Sequence, residues 1–302
     1  MIEREIRCSS ALTPGGWISP ARIQIDQDGF ISAVSALGRD AAAGISVGPV
    51  LPGMPNLHSH AFQRQMAGLT ENGSGQQDSF WTWREAMYRL AERVTPAQLQ
   101  SIAAWLQVEM LESGFTSCAE FHYLHHQPGG QPYNHLAELS VSLLGACAAS
   151  GISMTLLPVL YCRSGFDVST VGERQKRFFN SPDRYLQLMD ACRKLIPPGS
   201  LHRLGIAPHS LRAVAPDQLR GVLGAPGVSG LPVHIHVAEQ AAEVSQCLVS
   251  LGARPVQWLL ENFPIDSRWC LVHATHLEAG EMQQAAATGA VAGLCPITEA
   301  DL

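Results

Sequence analysis

Short apolar runs that alternate with helix-length periodic segments from residue 51 onward, and polar residues gathered just after those runs, predict an α/β chain built as a parallel (β/α)8 barrel. No Gly-rich phosphate loop follows any of the runs, which turns the prediction away from an open dinucleotide-binding sheet. Length agrees, since 302 residues at 46% hydrophobic can bury the core of one large barrel.

The opening segment is different in kind. RIQIDQDGFISAV alternates apolar and polar residues around Asp28-Gly29, a β-hairpin pattern, so residues 1–50 are expected to form a small β unit ahead of a barrel over 51–302. The first barrel strand lies in VLPGMPNL. A helix at about 96–113 follows: Thr95 caps it with Gln98 as capping-box partner, Pro96 fits its first turn, Leu99, Ile102, Leu106 and Met110 form one face, and Gly114 ends it. FTSCAEF, ISMTLLPVLY, HRLGIAP, LPVHIHVA, RWCLVHAT and AVAGLCP supply six further strands. Helices are expected between them at 134–150, 182–195, 216–223, 240–261 and 278–288.

Composition excludes several classes of partner. The net charge of −6 and scattered bases, with Lys176 and Lys194 the only lysines, argue against a nucleic-acid surface. The first residues hold no apolar stretch of signal-peptide length, and no segment approaches the roughly 20 apolar residues that span a bilayer. A cytoplasmic protein without a membrane partner is expected. The eight cysteines lie in apolar patterns, at least fifteen residues apart, and read as buried reduced thiols.

In a barrel of this class the chemistry gathers at the C-terminal ends of the strands. His58 and His60 end the first barrel strand, His122 and Tyr123 follow the second, His209 and Arg212 the fourth, His236 and Glu239 the fifth, and His273 the sixth. Strand alternation points His58 and His60 the same way with Cβ atoms roughly 6 to 7 Å apart, close enough to share one ion. His236 adds a third imidazole from across the barrel, a donor set suited to zinc. Glu239 reads either as a helix-start acid or as a proton shuttle beside a metal-bound water; His273 reads either as a core polar residue or as a general acid/base. His234 shares a face with His236 one layer deeper and is read as structural, and His125, His126, His135 and His276 as surface or loop residues. No lysine ends the relevant strands, so a lysine-bridged two-metal centre has no bridge and one ion is the economical reading.

PGMPNLHSH, HVAEQ and LVHATH are similar to the metal-dependent amidohydrolase superfamily. HSHAFQR, DSFWTWRE, FHYLHH, APHSLRAV, HIHVAEQ and CPITEADL, in that order along essentially the whole chain, resemble its formimidoylglutamate deiminase family. The resemblance implies a zinc-dependent hydrolysis of N-formimidoyl-L-glutamate to N-formyl-L-glutamate and ammonia, a step of histidine breakdown, on a single zinc ion. By that likeness His58, His60 and His236 match the metal ligands and Glu239 and His273 the catalytic pair. Gln63, Arg84, Tyr123, His209 and Arg212 match substrate-holding positions. The chemistry agrees, because a substrate with two carboxylates suits two arginines that each make a planar bidentate pair.

The resemblance also implies chain beyond TEADL: an eighth strand ending in a metal-binding aspartate, then strands that join the N-terminal β unit in a β-sandwich. The expected barrel is therefore incomplete, truncated after the seventh strand, with its first and seventh strands as open edges. Asp301 is not expected to substitute for the missing aspartate, and Glu299 is at best a neighbour of the site. The alternatives are a nucleobase deaminase of the guanine or adenosine type, or a catalytically inactive barrel fragment. The expected partner is a small molecule, with a homodimer as one arrangement.

Overall fold

The computed structural model describes residues 2–38, 46–69 and 80–300. Two compact units divide the chain, Met1–Met54 and Pro55–Leu302. Asp301 and the first two residues of DSFWTWRE lie outside the described residues.

In the first unit β1 (Ile2–Thr13) pairs antiparallel with β2 (Gly16–Ile18) and β3 (Ala21–Asp26), β3 pairs with β4 (Ile31–Ala36), and β5 (Val47–Val50) runs parallel to β1. The β3–β4 connection is the expected hairpin. The Asp26 carboxylate accepts the N–H groups of Asp28 at 3.0 Å and Phe30 at 2.9 Å, and Gly29 adopts a φ of 84° that a side chain would oppose.

The second unit places its strands in one order: β6 (Met54–Ser59), β7 (Phe115–His122), β8 (Ser153–Leu160), the short pair β9 (Arg203–Leu204) and β10 (Ala207–Pro208), β11 (Val233–Val237), β12 (Trp269–His273) and β13 (Val291–Gly293). The pairings from β7 to β13 are parallel, and a parallel bridge between Ile206 and Val233 joins β10 to β11. His58 in β6 comes within hydrogen-bond distance of His236 in β11, so the sheet curls into part of a barrel. Every residue of β11 and β12 is buried, as expected for parallel strands covered on both faces.

HRLGIAP, read as one strand, is broken at Gly205. A Cβ there would lie 2.5 Å from a Leu157 methyl and 3.0 Å from the Pro232 ring, so only glycine lets these neighbours close. The helices of this unit are α1 (Phe80–Ala91), α2 (Pro96–Glu112), α3 (Glu138–Ser150), α4 (Pro182–Leu195), α5 (Pro216–Leu223), α6 (Ala241–Leu251), α7 (Pro255–Asn262), α8 (Ala279–Thr288) and α9 (Pro296–Ala300). In α2 the Thr95–Gln98 capping box forms as expected. Its buried face is Leu99, Ala103, Gln107 and Met110, rotated from the expected one, and Gln107 Nε2 donates to Cys147 Sγ of α3 at 3.4 Å. The expected helix at 240–261 is two helices. Gly252 stops α6 with a φ of 78°, and Pro255 starts α7.

Three connections matter for the site because they hold the loops above the strand ends. Arg177 is buried and donates to the carbonyls of His126 (2.7 Å), Ala91 and Val94 (2.9 Å), tying the end of α1 to the loops after β7 and β8. A buried cation is tolerable here because three carbonyls take its protons. His125 and His126, expected as surface or loop residues, lie in the loop after β7 but are buried there, with Nε2 on the carbonyls of Val159 (2.9 Å) and Phe179 (2.8 Å). They serve the same lacing, and a run of two histidines gives no hint of which carbonyls it will meet. All eight cysteines are free, and seven are buried.

Candidate metal centre and substrate cavity

The strand ends converge on one cavity of about 150 Å3 within the second unit. Its walls include all ten residues singled out from the sequence: His58, His60, Gln63, Arg84, Tyr123, His209, Arg212, His236, Glu239 and His273.

At its floor His58 Nε2 lies 2.9 Å from His60 Nε2 and 3.1 Å from His236 Nε2. The proton positions follow from the partners on the other side of two of these rings. His60 Nδ1 is 2.9 Å from the Phe121 carbonyl and His236 Nδ1 is 3.1 Å from the His209 carbonyl. A carbonyl only accepts, so each Nδ1 carries the proton and each Nε2 presents a bare lone pair. His58 Nε2 has one proton at most for two facing lone pairs. Among the described residues the imidazoles whose donor atoms all lie within 4.8 Å of one another are those of His58, His236 and His273, with His60 hydrogen-bonded to His58 beside them, and the carbonyl contacts are of the kind that fix ring orientation at metal sites. Burial, the largest cause for each, holds His58 and His236 well below 6.5 and His60 at about 4, so all three rings are neutral near pH 7, the form a metal ligand needs.

His273 also reaches this cluster, with a ring nitrogen within 4.8 Å of donor atoms on His58 and His236. Its Nε2 lies 3.7 Å from Glu239 Oε1, and its Nδ1 is 3.1 Å from Glu299 Oε1. Glu299 is thus more than a neighbour. It also accepts the Cys295 N–H at 2.7 Å, fixing the start of α9. The sequence signal was present in CPITEADL, but an acid in the first turn of a short helix reads as a cap. Ala238, His273 and Ala274 have φ of 51°, 69° and 50°. The backbone strain sits where β11 and β12 deliver Glu239 and His273, as functional strand ends often show.

A second unforeseen residue is Glu120, buried in β7. Its Oε1 accepts the Ala61 N–H at 2.7 Å, holding the tight turn Ala61–Met66 that begins just after His60 and carries Gln63. Burial pushes its carboxyl up to about 7. A lone acid in an apolar run was the available clue.

The opposite wall belongs to turns and α1. Gln63 Nε2 donates to the Tyr123 hydroxyl at 2.8 Å, and the Arg84 guanidinium lies 5.7 Å from the Tyr88 ring centre. Arg212 lowers the His209 pKa further, after burial as the main cause, which marks a positive charge near that imidazole. His122 and His234 are buried outside the cavity walls, held at about 3 and about 4 by burial.

Residues 50–302 match the model of the amidohydrolase family, and the chain belongs to that family. It is 50% identical over 292 residues to a formimidoylglutamate deiminase of Pseudomonas aeruginosa, covering 97% of this chain and 64% of that protein. A 5-methylthioadenosine/S-adenosylhomocysteine deaminase of Haloquadratum walsbyi is 26% identical over 290 residues, covering 92% of this chain and 57% of that one. The crystal structure of an amidohydrolase from Brucella melitensis superimposes with a TM-score of 0.92 at 46% identity, over 99% of this chain and 66% of that chain. The chain thus spans between 57% and 66% of the length of these relatives. No helix among the described residues is long and apolar enough to cross a membrane.

Proposed function

We propose that this chain carries the site of a cytoplasmic, zinc-dependent deiminase that hydrolyses N-formimidoyl-L-glutamate to N-formyl-L-glutamate and ammonia. The observation that carries the reading is one cavity holding three converging neutral imidazoles at its floor and two arginines, Arg84 and Arg212, in its wall. His58, His60 and His236 hold one zinc ion, a borderline-soft cation suited to three imidazoles. Bound there, the ion supplies Lewis acidity and lowers the pKa of a coordinated water from about 15.7 toward 7. Arg84 and Arg212 each pair with one substrate carboxylate, helped by Gln63, Tyr123 and His209. Glu239 takes a proton from the attacking water and returns it to the amidine nitrogen that departs as ammonia. His273, its tautomer fixed by Glu299, faces Glu239 and assists that transfer through Nε2.

The finer fold reading goes with this one. Among the described residues β6 and β13 end the strand order, which is where an eighth stave of a (β/α)8 barrel would fit, and the first unit is read as part of a β-sandwich. A nucleoside or nucleobase deaminase is the second reading, favoured by Trp83, Tyr88, Tyr161 and Phe178 in the cavity wall. Titration calorimetry of the zinc-loaded chain with N-formyl-L-glutamate, 5′-methylthioadenosine and guanine separates the two, with ammonia release from N-formimidoyl-L-glutamate as the activity readout. The dicarboxylate alone is expected to bind; binding of the purines alone overturns the proposal.

A further inference from the structure

We infer that Glu243 is the positioning residue for Glu239: its buried carboxylate clamps the two successive peptide N–H groups at which the chain leaves β11, and so holds the proton-carrying side chain in place. The inference rests on the role given to Glu239 above and deepens it by naming what fixes that residue.

Glu243 is buried in the first turn of α6, three residues after the N-cap Gln240, where a carboxylate is favoured by the helix dipole. At that position a capping box would turn the side chain back onto the N–H of the cap residue itself. Glu243 reaches further. Its Oε1 accepts the Ala238 N–H at 3.2 Å and its Oε2 accepts the Glu239 N–H at 3.1 Å, both ahead of the cap and at the strand end. A backbone N–H only donates, so both oxygens act as acceptors, the role an ionised carboxylate fills and an amide cannot.

The clamp sits where the backbone most needs one. Ala238 has a φ of 51°, a left-handed conformation that a side chain opposes, and such a residue persists only where its surroundings over-determine it. They do so on both sides. The Ala238 carbonyl accepts the His276 N–H at 3.0 Å, its own N–H goes to Glu243, and the carbonyl of the preceding Val237 accepts the Ala274 N–H at 3.1 Å. Ala238 and Glu239 are buried, so an N–H released by Glu243 is left without solvent to replace the lost acceptor.

Charge and distance agree with this role. Burial pushes the Glu243 carboxyl up, the Arg212 guanidinium opposes that rise and Glu239 adds to it, so both stand within electrostatic reach of Glu243. A buried carboxylate with two N–H donors and a cation in reach is of the kind an interior retains. The Glu239 side chain faces His273, with Oε1 3.7 Å from Nε2, and that separation depends on where β11 and β12 place their last backbone atoms. Glu243 fixes the β11 side of it.

The test is a double-substitution cycle on Glu239 and Glu243 in the zinc-loaded chain, with kcat and KM for N-formimidoyl-L-glutamate and zinc content measured for each protein. Glu243→Gln keeps the shape of the side chain but turns an NH2 group toward one of the two N–H groups. It should lower kcat by roughly 10- to 100-fold, the scale of a misplaced reacting group, with KM and zinc content within about twofold of wild type. Added to Glu239→Gln it should lower kcat by less than about threefold more, because the group it positions is already gone. Hydrogen exchange in the metal-free chain gives a readout apart from activity: the amides of Ala238 and Glu239 should exchange roughly tenfold faster or more in Glu243→Gln, while those of β7 keep wild-type rates. Where Glu243→Gln does not yield folded protein, Glu243→Asp takes its place with the same expectations, its shorter arm being unable to reach both N–H groups. An unchanged kcat in the Glu243 variant, an equal loss in both backgrounds, or unchanged exchange at Ala238 and Glu239 overturns this inference alone. Wild-type turnover in Glu239→Gln, or no turnover in the wild-type chain, overturns the reading of Glu239, and this inference with it.

Discussion

The floor and the wall of the cavity are built by different means. The floor groups, His58, His60, His236, Glu239 and His273, stand at the ends of β6, β11 and β12, where neighbouring strands fix each position. The wall groups, Gln63, Arg84, Tyr88 and Tyr161, come from a tight turn, from α1 and from the loop that follows β8. Strand ends hold atoms to the tolerance that chemistry needs, whereas turns and helices can be exchanged to suit a ligand. The comparison therefore separates residues expected to govern rate from residues expected to govern affinity.

Three changes sharpen or break that division. Glu239→Gln should lower kcat by about 10² to 10⁴ while zinc content and KM stay close to wild type, as measured by steady-state ammonia release and metal analysis. A rise in KM with kcat unchanged would move Glu239 to the wall. Next in size is a stability effect on the floor side. His122 and His234 are neutral in the fold, with values of about 3 and about 4 against 6.5 when unfolded, so the unfolded chain binds more protons as pH falls through that window. Stability is present above about pH 6.5 and is lost toward pH 4, on the order of a few kcal/mol, read as a falling urea midpoint. A midpoint flat across that range would contradict the burial argument. The smallest effect is Arg212→Lys, which keeps the charge but loses the planar fork. It should raise KM roughly tenfold with kcat little altered.

The same division explains what could be read in advance. Strand positions were legible because apolar runs are short and separated by capped helices, and His58 and His60 were legible because period-two alternation fixes their common face. Glu239 and His273 followed from strand ends, though their roles stayed ambiguous on spacing alone. Arg84 and Gln63 entered only through family likeness, since no periodicity tells which face of α1 or of a turn looks into a cavity, whereas Tyr123 also stood just after the second strand. Glu120, Gln175, Arg177 and Glu299 were missed. Each acts through a hydrogen bond to a residue distant in sequence, from Ala61 for Glu120 to Tyr88 for Gln175. The rotated face of α2 and the split of 240–261 came from packing and from one left-handed glycine.

The account turns on a single convergence, that of His58, His60 and His236 on one cation. Zinc titration of the metal-stripped chain against a chromophoric chelator, with X-ray absorption of the loaded protein, tests it most directly. One equivalent bound through imidazole nitrogens, with affinity falling by more than the roughly 10- to 100-fold cost of an outer-sphere change in His58→Ala and in His236→Ala, is the predicted result. No zinc uptake, or uptake indifferent to both substitutions, would contradict it.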